Sequence, residues 1–204
     1  MPARTQSRSQ LAKKDAYRRV VLECAEELFA DGIDNTKVED IAAAAGIAPR
    51  TLYSVFDGKQ QIIDAVCDGH RRALVAHAET VAAPATTPLE ALILGVRGAN
   101  QYFVEHPNYL KMELRESRAW SSENPSFSPI WYQTFDTQKR LFDRCIADGS
   151  VRAGDADAYA RALLAIQQSQ LAHWVDENEP TGTNVSDRIE DLVVHAFATN
   201  PDAH

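Results

Sequence analysis

The sequence predicts an all-α protein, and three observations carry that expectation. Apolar residues recur at three- and four-residue spacing in every long segment. No stretch alternates apolar and polar as a half-buried strand would. The interruptions at 83–88, 121–129, 149–154 and 179–184 are rich in Pro, Gly, Ser and Asn, as loops require. The expected layout is an N-terminal three-helix unit followed by a larger helical bundle.

Residues 1–13 are polar, basic and aperiodic, and read as a flexible basic arm. A first helix is expected over 14–30. Its inner stripe holds Tyr17, Val20, Val21, Cys24, Leu28 and Phe29, and Gly32 stops it. Thr36 with Glu39 has capping-box spacing, and it opens a short alanine-rich helix that Gly46 ends. Pro49 suits the first turn of the next helix, expected to reach Phe56. Leu52 and Phe56 point one way and leave Arg50, Thr51, Tyr53 and Ser54 for the other faces. Two short helices joined by a tight turn have the layout of a helix-turn-helix, whose second helix lies in the DNA major groove. Arg50 can pair with guanine edges or phosphate. Thr51 and Ser54 can donate to phosphate or bases, and Tyr53 can pack on the sugar-phosphate backbone. Lys59 can neutralise a phosphate. Thr36, Lys37 and Pro49, at the two helix starts, complete the candidate DNA-binding set.

The order Thr36, Ile41-Ala42, Ala45-Gly46-Ile47, Thr51-Leu52-Tyr53, Phe56 and Lys59 resembles the DNA-binding domain of TetR-family transcriptional regulators. Arg19-Val20-Val21-Leu22, with Ala25, Leu28, Phe29 and Gly32, resembles that family's first helix. The resemblance covers roughly residues 15–66. Two positions depart from it: Ala48 stands where the family often has a serine cap, and Val55 where it often has a histidine. The resemblance implies a DNA-reading domain over 14–58 and a ligand-binding and dimerisation domain over 59–204.

Beyond the motif, Asp57 with Gln60 can cap a helix expected over 58–81. Further helices are expected over 88–105, 107–121, 126–148, 155–178 and 185–199. Nine of the sixteen aromatic residues fall between Tyr102 and Phe142. Taken alone, that concentration fits core packing better than a pocket; the resemblance, which implies an effector pocket in the C-terminal helices, favours the pocket. The candidate lining is Phe103, Tyr109, Met112, Trp120, Trp131, Phe135 and Trp174, with Gln138, Gln167 and Gln170 as polar partners. The last two helices are apolar over more than one face, through residues such as Leu163, Leu171, Leu192 and Phe197. A homodimer interface accounts for this, and the alternative is a monomer in which they are central.

The net charge of −8 is unevenly spread. Residues 1–22 hold six basic residues and one acid, whereas residues 73–204 hold ten basic and eighteen acidic residues. A general nucleoid binder would need a basic body, and this body is acidic. Three widely spaced cysteines make neither a disulfide framework nor a zinc set. Cys67 and His70, three apart on one helix, with His77 two turns on, could hold a metal with a partner from elsewhere, but histidines on helices more often pack or lie at the surface. No P-loop, G-x-G-x-x-G, H-E-x-x-H or G-x-S-x-G is present, so no catalytic residue, metal or cofactor is expected. There is no apolar secretion segment or membrane-length run, and a cytoplasmic protein is expected. The expected function is a transcriptional regulator, a repressor released from palindromic double-stranded DNA by a small organic effector. The alternative is a small-molecule-binding protein or enzyme on the same fold that no longer binds DNA.

Overall fold

The computed structural model describes residues 8–115, 129–177 and 183–200. Among them are nine helices: α1 (Arg8–Gly32), α2 (Val38–Ala44), α3 (Pro49–Tyr53), α4 (Lys59–Ala82), α5 (Pro88–Glu105), α6 (Pro107–Arg115), α7 (Pro129–Ala147), α8 (Ala156–Asp176) and α9 (Thr183–Phe197). The described residues hold no strand; one isolated antiparallel bridge joins Val151 to Ala198. The chain divides into two compact units, Met1–Gly69 and His70–His204, and the boundary falls inside α4.

The first unit is built around the apolar stripe of α1. Val21, Ala25 and Phe29 are buried, together with Ile41 and Ala42 of α2, Leu52 of α3, and Ile62 and Val66 of α4. These residues recur three and four apart on each helix, so each helix gives one face to a common core. Phe56 closes this core, and the Arg18 guanidinium lies over its ring, 4.4 Å from the centroid. Helix α1 starts at Arg8, so the segment expected as an arm is helical over residues 8–13. Ser9, Gln10, Leu11, Ala12, Lys13 and Lys14 carry no breaker, and helix propensity there outweighs the lack of an apolar stripe. Tyr17 and Val20, expected on the inner stripe, are exposed, because the buried stripe begins only at Val21.

The second unit has a larger core. Leu92, Val96, Leu110, Phe142, Leu163, Leu171, Val185, Ile189 and Val193 are all buried in it. Helix α5 packs on α7 and α9, and α8 packs on the same two helices. Thr87 caps α5, its hydroxyl accepting from the backbone N–H of Glu90 at 3.1 Å, and Pro88 occupies the first helical position. At Gly98 a Cβ would lie 2.8 Å from the Ala78 Cα and 3.0 Å from the Val81 Cβ. The second half of α4 therefore meets α5 backbone to backbone. Arg97 holds Glu190 of α9 in a bidentate pair, Nε to Oε1 at 2.7 Å and Nη2 to Oε2 at 2.5 Å. This hydrogen-bonded carboxylate pushes the Arg97 pKa up.

Candidate nucleic-acid interface and effector cavity

The turn between α2 and α3 is fixed by backbone geometry. Gly46 has φ +65, and its N–H donates to the Ala43 carbonyl at 3.1 Å. The Ile47 N–H donates to the Ala42 carbonyl at 3.0 Å, so the last carbonyls of α2 are satisfied as the chain turns. Helix α3 then opens at Pro49 with Ala48 as its N-cap, which offers no side-chain hydrogen bond. Its length is five residues, shorter than the expected run to Phe56. Ser54 ends it: its backbone N–H turns to the Thr51 and Leu52 carbonyls, and its hydroxyl donates to the Thr51 carbonyl at 2.6 Å.

Leu52 is wholly buried, and Val55 and Phe56 follow it inward. That anchoring leaves Pro49, Arg50, Tyr53 and Ser54 exposed and Thr51 half-buried. Tyr53 is 48% exposed, so a large aromatic ring stands out from the short helix. Lys37 is exposed at the start of α2. Lys59 is half-buried, its ammonium 3.5 Å from the Asp34 carbonyl. Thr36 differs from the sequence expectation. Its hydroxyl donates to the Gly32 carbonyl at 2.8 Å and the Leu28 carbonyl at 3.2 Å, and the residue is only 7% exposed. It closes the end of α1 and has no hydroxyl left to turn outward. Only half of a capping box forms, one residue later: Lys37 is the N-cap and its side chain makes no cap bond, while Asp40 accepts from the Lys37 backbone N–H at 2.9 Å. A similar shift occurs before α4, where Gln61, not Gln60, bonds back to Asp57 at 2.7 Å.

In the second unit, α4 to α8 line a partly open cavity of about 370 Å³. Among the expected lining residues, Phe103, Tyr109, Gln138 and Gln167 do border it. Met112 is buried in the core instead. Phe135 packs against the core with the Arg161 guanidinium 5.6 Å from its ring centroid. Gln170 is half-buried away from the cavity. Trp174 is a core residue whose indole nitrogen is buried without a hydrogen-bond partner among the described residues. Trp120 lies outside the described residues, as does the side chain of Trp131.

Sequence reasoning missed the cavity's charged wall. Arg71 of α4 and Glu113 of α6 form an ion pair at 2.9 Å, with side chains 17% and 7% exposed. The available signal was Arg71's position, four residues after Cys67 and four before Val75 on the inward stripe of α4. Beside the cavity, the Gln167 amide donates to Asn100 Oδ1 at 3.1 Å. Gln138 Oε1 is buried on the wall with no donor among the described residues. His70, considered for metal, is engaged otherwise: Nδ1 lies 2.9 Å from the Tyr102 hydroxyl, and its ring stacks on Tyr109 at 4.3 Å.

Comparison with known proteins places the site in context. The sequence model of bacterial regulatory proteins of the tetR family matches residues 21–66. The HTH-type transcriptional repressor KstR2 of Mycolicibacterium smegmatis is 30% identical over 139 residues, spanning 66% of this chain and 67% of that protein. The structure of the ketosteroid transcriptional regulator KstR2 of Mycobacterium tuberculosis superposes with a TM-score of 0.71 at 24% identity, covering 90% of this chain and 95% of the other. The structure of AibR in complex with isovaleryl coenzyme A and operator DNA gives a TM-score of 0.71 at 20% identity, covering 86% and 97%.

Proposed function

Because this chain belongs to the TetR family of bacterial regulatory proteins, we propose that it is a homodimeric repressor that leaves a palindromic operator when a small organic effector fills the second unit. The observation that carries the proposal is the division of labour on α3. Leu52 is buried, while Arg50, Tyr53 and Ser54 stand exposed on the same short helix. A helix held in this way offers polar and aromatic groups to a groove without loosening its own core.

In this reading Arg50 and Ser54 face base edges, and Lys37, Pro49, Thr51, Tyr53 and Lys59 lie along the backbone. Thr36 acts only by fixing the end of α1. The dimer forms through α8 and α9. Leu192 is 38% exposed on α9, whereas Val185, Ile189, Val193 and Phe197 are consumed by the chain's own core. Phe197 packs edge-on to Phe142 at 5.0 Å, which removes it from the expected interface. Helix α4 contributes residues to both units, so it is the proposed lever between effector and DNA. An effector shifts the equilibrium only by its difference in affinity for the two states, commonly about 1–3 kcal/mol of coupling.

The test is selection of bound fragments from random and genomic DNA, followed by light scattering of the free and bound protein. The expected result is an inverted repeat, with half-sites one helical turn or a multiple of it apart, bound by twice the chain mass or a multiple. Recovery of no preferred sequence would reject the operator reading. It would favour a small-molecule-binding protein or enzyme on the same fold.

A further inference from the structure

Helices α4 and α5 supply two long walls of the cavity. Along α4 the lining includes Arg71, Leu74, Val75, Ala78, Glu79 and Ala82. Along α5 it includes, in the opposite chain direction, Phe103, Ala99, Val96, Gly95, Leu92 and Ala91. From Phe103 to Ala91 is twelve helical steps, about 18 Å. The buried Arg71–Glu113 pair stands at one end of these walls. Toward the other end Gly95 and the alanines alternate with larger residues, so single small side chains set the local room.

Gly95 is the least accounted-for residue in this wall. It sits inside α5, where glycine is a poor helix former. Its φ is not in the left-handed region, unlike Gly46 and Gly149. No backbone needs its space, unlike Gly98 on the same helix: a Cβ at Gly95 would meet no heavy atom of the described residues within 4 Å. What its missing side chain does leave is room in the cavity. Gln138 also borders the cavity, and its buried side-chain oxygen, with no donor among the described residues, can accept from a donor on a bound molecule.

We propose that Gly95 sets the size of the effector's apolar end. The effector is an elongated amphipathic molecule with a bulky apolar end over Gly95, Ala82 and Ala91, a donor to Gln138, and its polar end at Arg71 and Glu113. This inference rests on the reading of the second unit as an effector site.

The test compares two ten-carbon alcohols that differ in the width of the far end, linear 1-decanol and 4-cyclohexyl-1-butanol. Their binding to the full chain and its variants is measured by calorimetry. Gly95→Val should weaken the cyclohexyl alcohol at least tenfold and the linear one less than twofold. Gly95→Ala, which cannot clash, should weaken the cyclohexyl alcohol by a smaller factor and raise the unliganded melting midpoint by about 2–4 °C through helix propensity. Gln138→Leu should weaken both alcohols about threefold to tenfold, the worth of one hydrogen bond. Equal losses at Gly95 for both alcohols, no loss for either, or no binding to the parent chain up to the solubility limit of each alcohol would overturn the proposal. Operator release is read separately. Width-selective binding without release of DNA would reject the effector reading and leave Gly95 as the size filter. Release of DNA without width selectivity would do the reverse.

Discussion

Replacing Gly46 by alanine isolates the conformational cost of the turn between α2 and α3. The residue has φ +65, and a Cβ there meets no heavy atom of the described residues within 4 Å. Alanine therefore adds no clash with a neighbour, only the local penalty of a left-handed L-residue, about 1–2 kcal/mol. For a chain of this size about 2–4 °C of melting midpoint accompanies each kcal/mol, so the expected loss is about 2–8 °C. Gly149 is a built-in comparison, because it has φ +79, equally open surroundings, and lies in the other unit. All three tryptophans lie at or beyond residue 120, so intrinsic fluorescence follows the second unit, whereas circular dichroism at the helix band follows both. Gly46→Ala should move the dichroism transition, and Gly149→Ala should move both signals. Operator affinity should fall for Gly46→Ala, since the angle between α2 and α3 depends on that residue. A change below about 0.3 kcal/mol at Gly46 would refute the conformational reading, because the left-handed penalty of an L-residue is several times larger.

The other predictions concern DNA, assembly and pH. Arg50→Ala should weaken specific binding by about 1–3 kcal/mol and relax one position of the operator. Lys59→Ala should weaken binding to every sequence and reduce the salt slope by about one; gel shifts over several salt concentrations separate the two effects. Leu192→Asp should halve the mass seen by light scattering while leaving the dichroism unchanged, because the residue is exposed within the chain. Burial pushes the Cys145 thiol up to about 11 from 9.0, so the folded state holds a proton that the unfolded chain releases. Stability should be intact below pH 9 and decline as pH rises from 9 toward 11, by at most about 2–3 kcal/mol, and Cys145→Ala should flatten that limb of the urea-midpoint profile.

Helical spacing makes the elements legible in the sequence itself. The apolar residues of α1 to α5 recur where an inward face needs them, and Gly46 and Pro49 punctuate the motif as their backbones dictate. The caps were less legible, because a threonine hydroxyl has more than one use. Thr36 could cap α2 or close α1, and the carbonyls of Leu28 and Gly32 lie near enough to take it. The cavity was least legible. Arg71 and Glu113 are 42 residues apart, and nothing local marks them as neighbours. Aromatic clustering pointed to the right helices, yet Met112 and Trp174 were spent on the core, while small residues such as Ala78 and Gly95 made the space. A cavity is defined by what side chains leave empty, and residue type alone does not report that.

The pairing of Arg97 with Glu190 bears on the order in which the protein is made. Helix α9 supplies Val185, Ile189, Val193 and Phe197 to the second core, and its carboxylate meets a guanidinium 93 residues earlier in the chain. The first unit ends at Gly69, so its residues are made before any of the second. At ordinary elongation rates the residues from Glu105 to Phe197 take about 5–18 s. During that interval the apolar residues of α5, including Leu89, Leu92 and Val96, await the helices α7 and α9 that pack on it. The waiting face of α5 is open to chaperones and to premature aggregation until α9 is made.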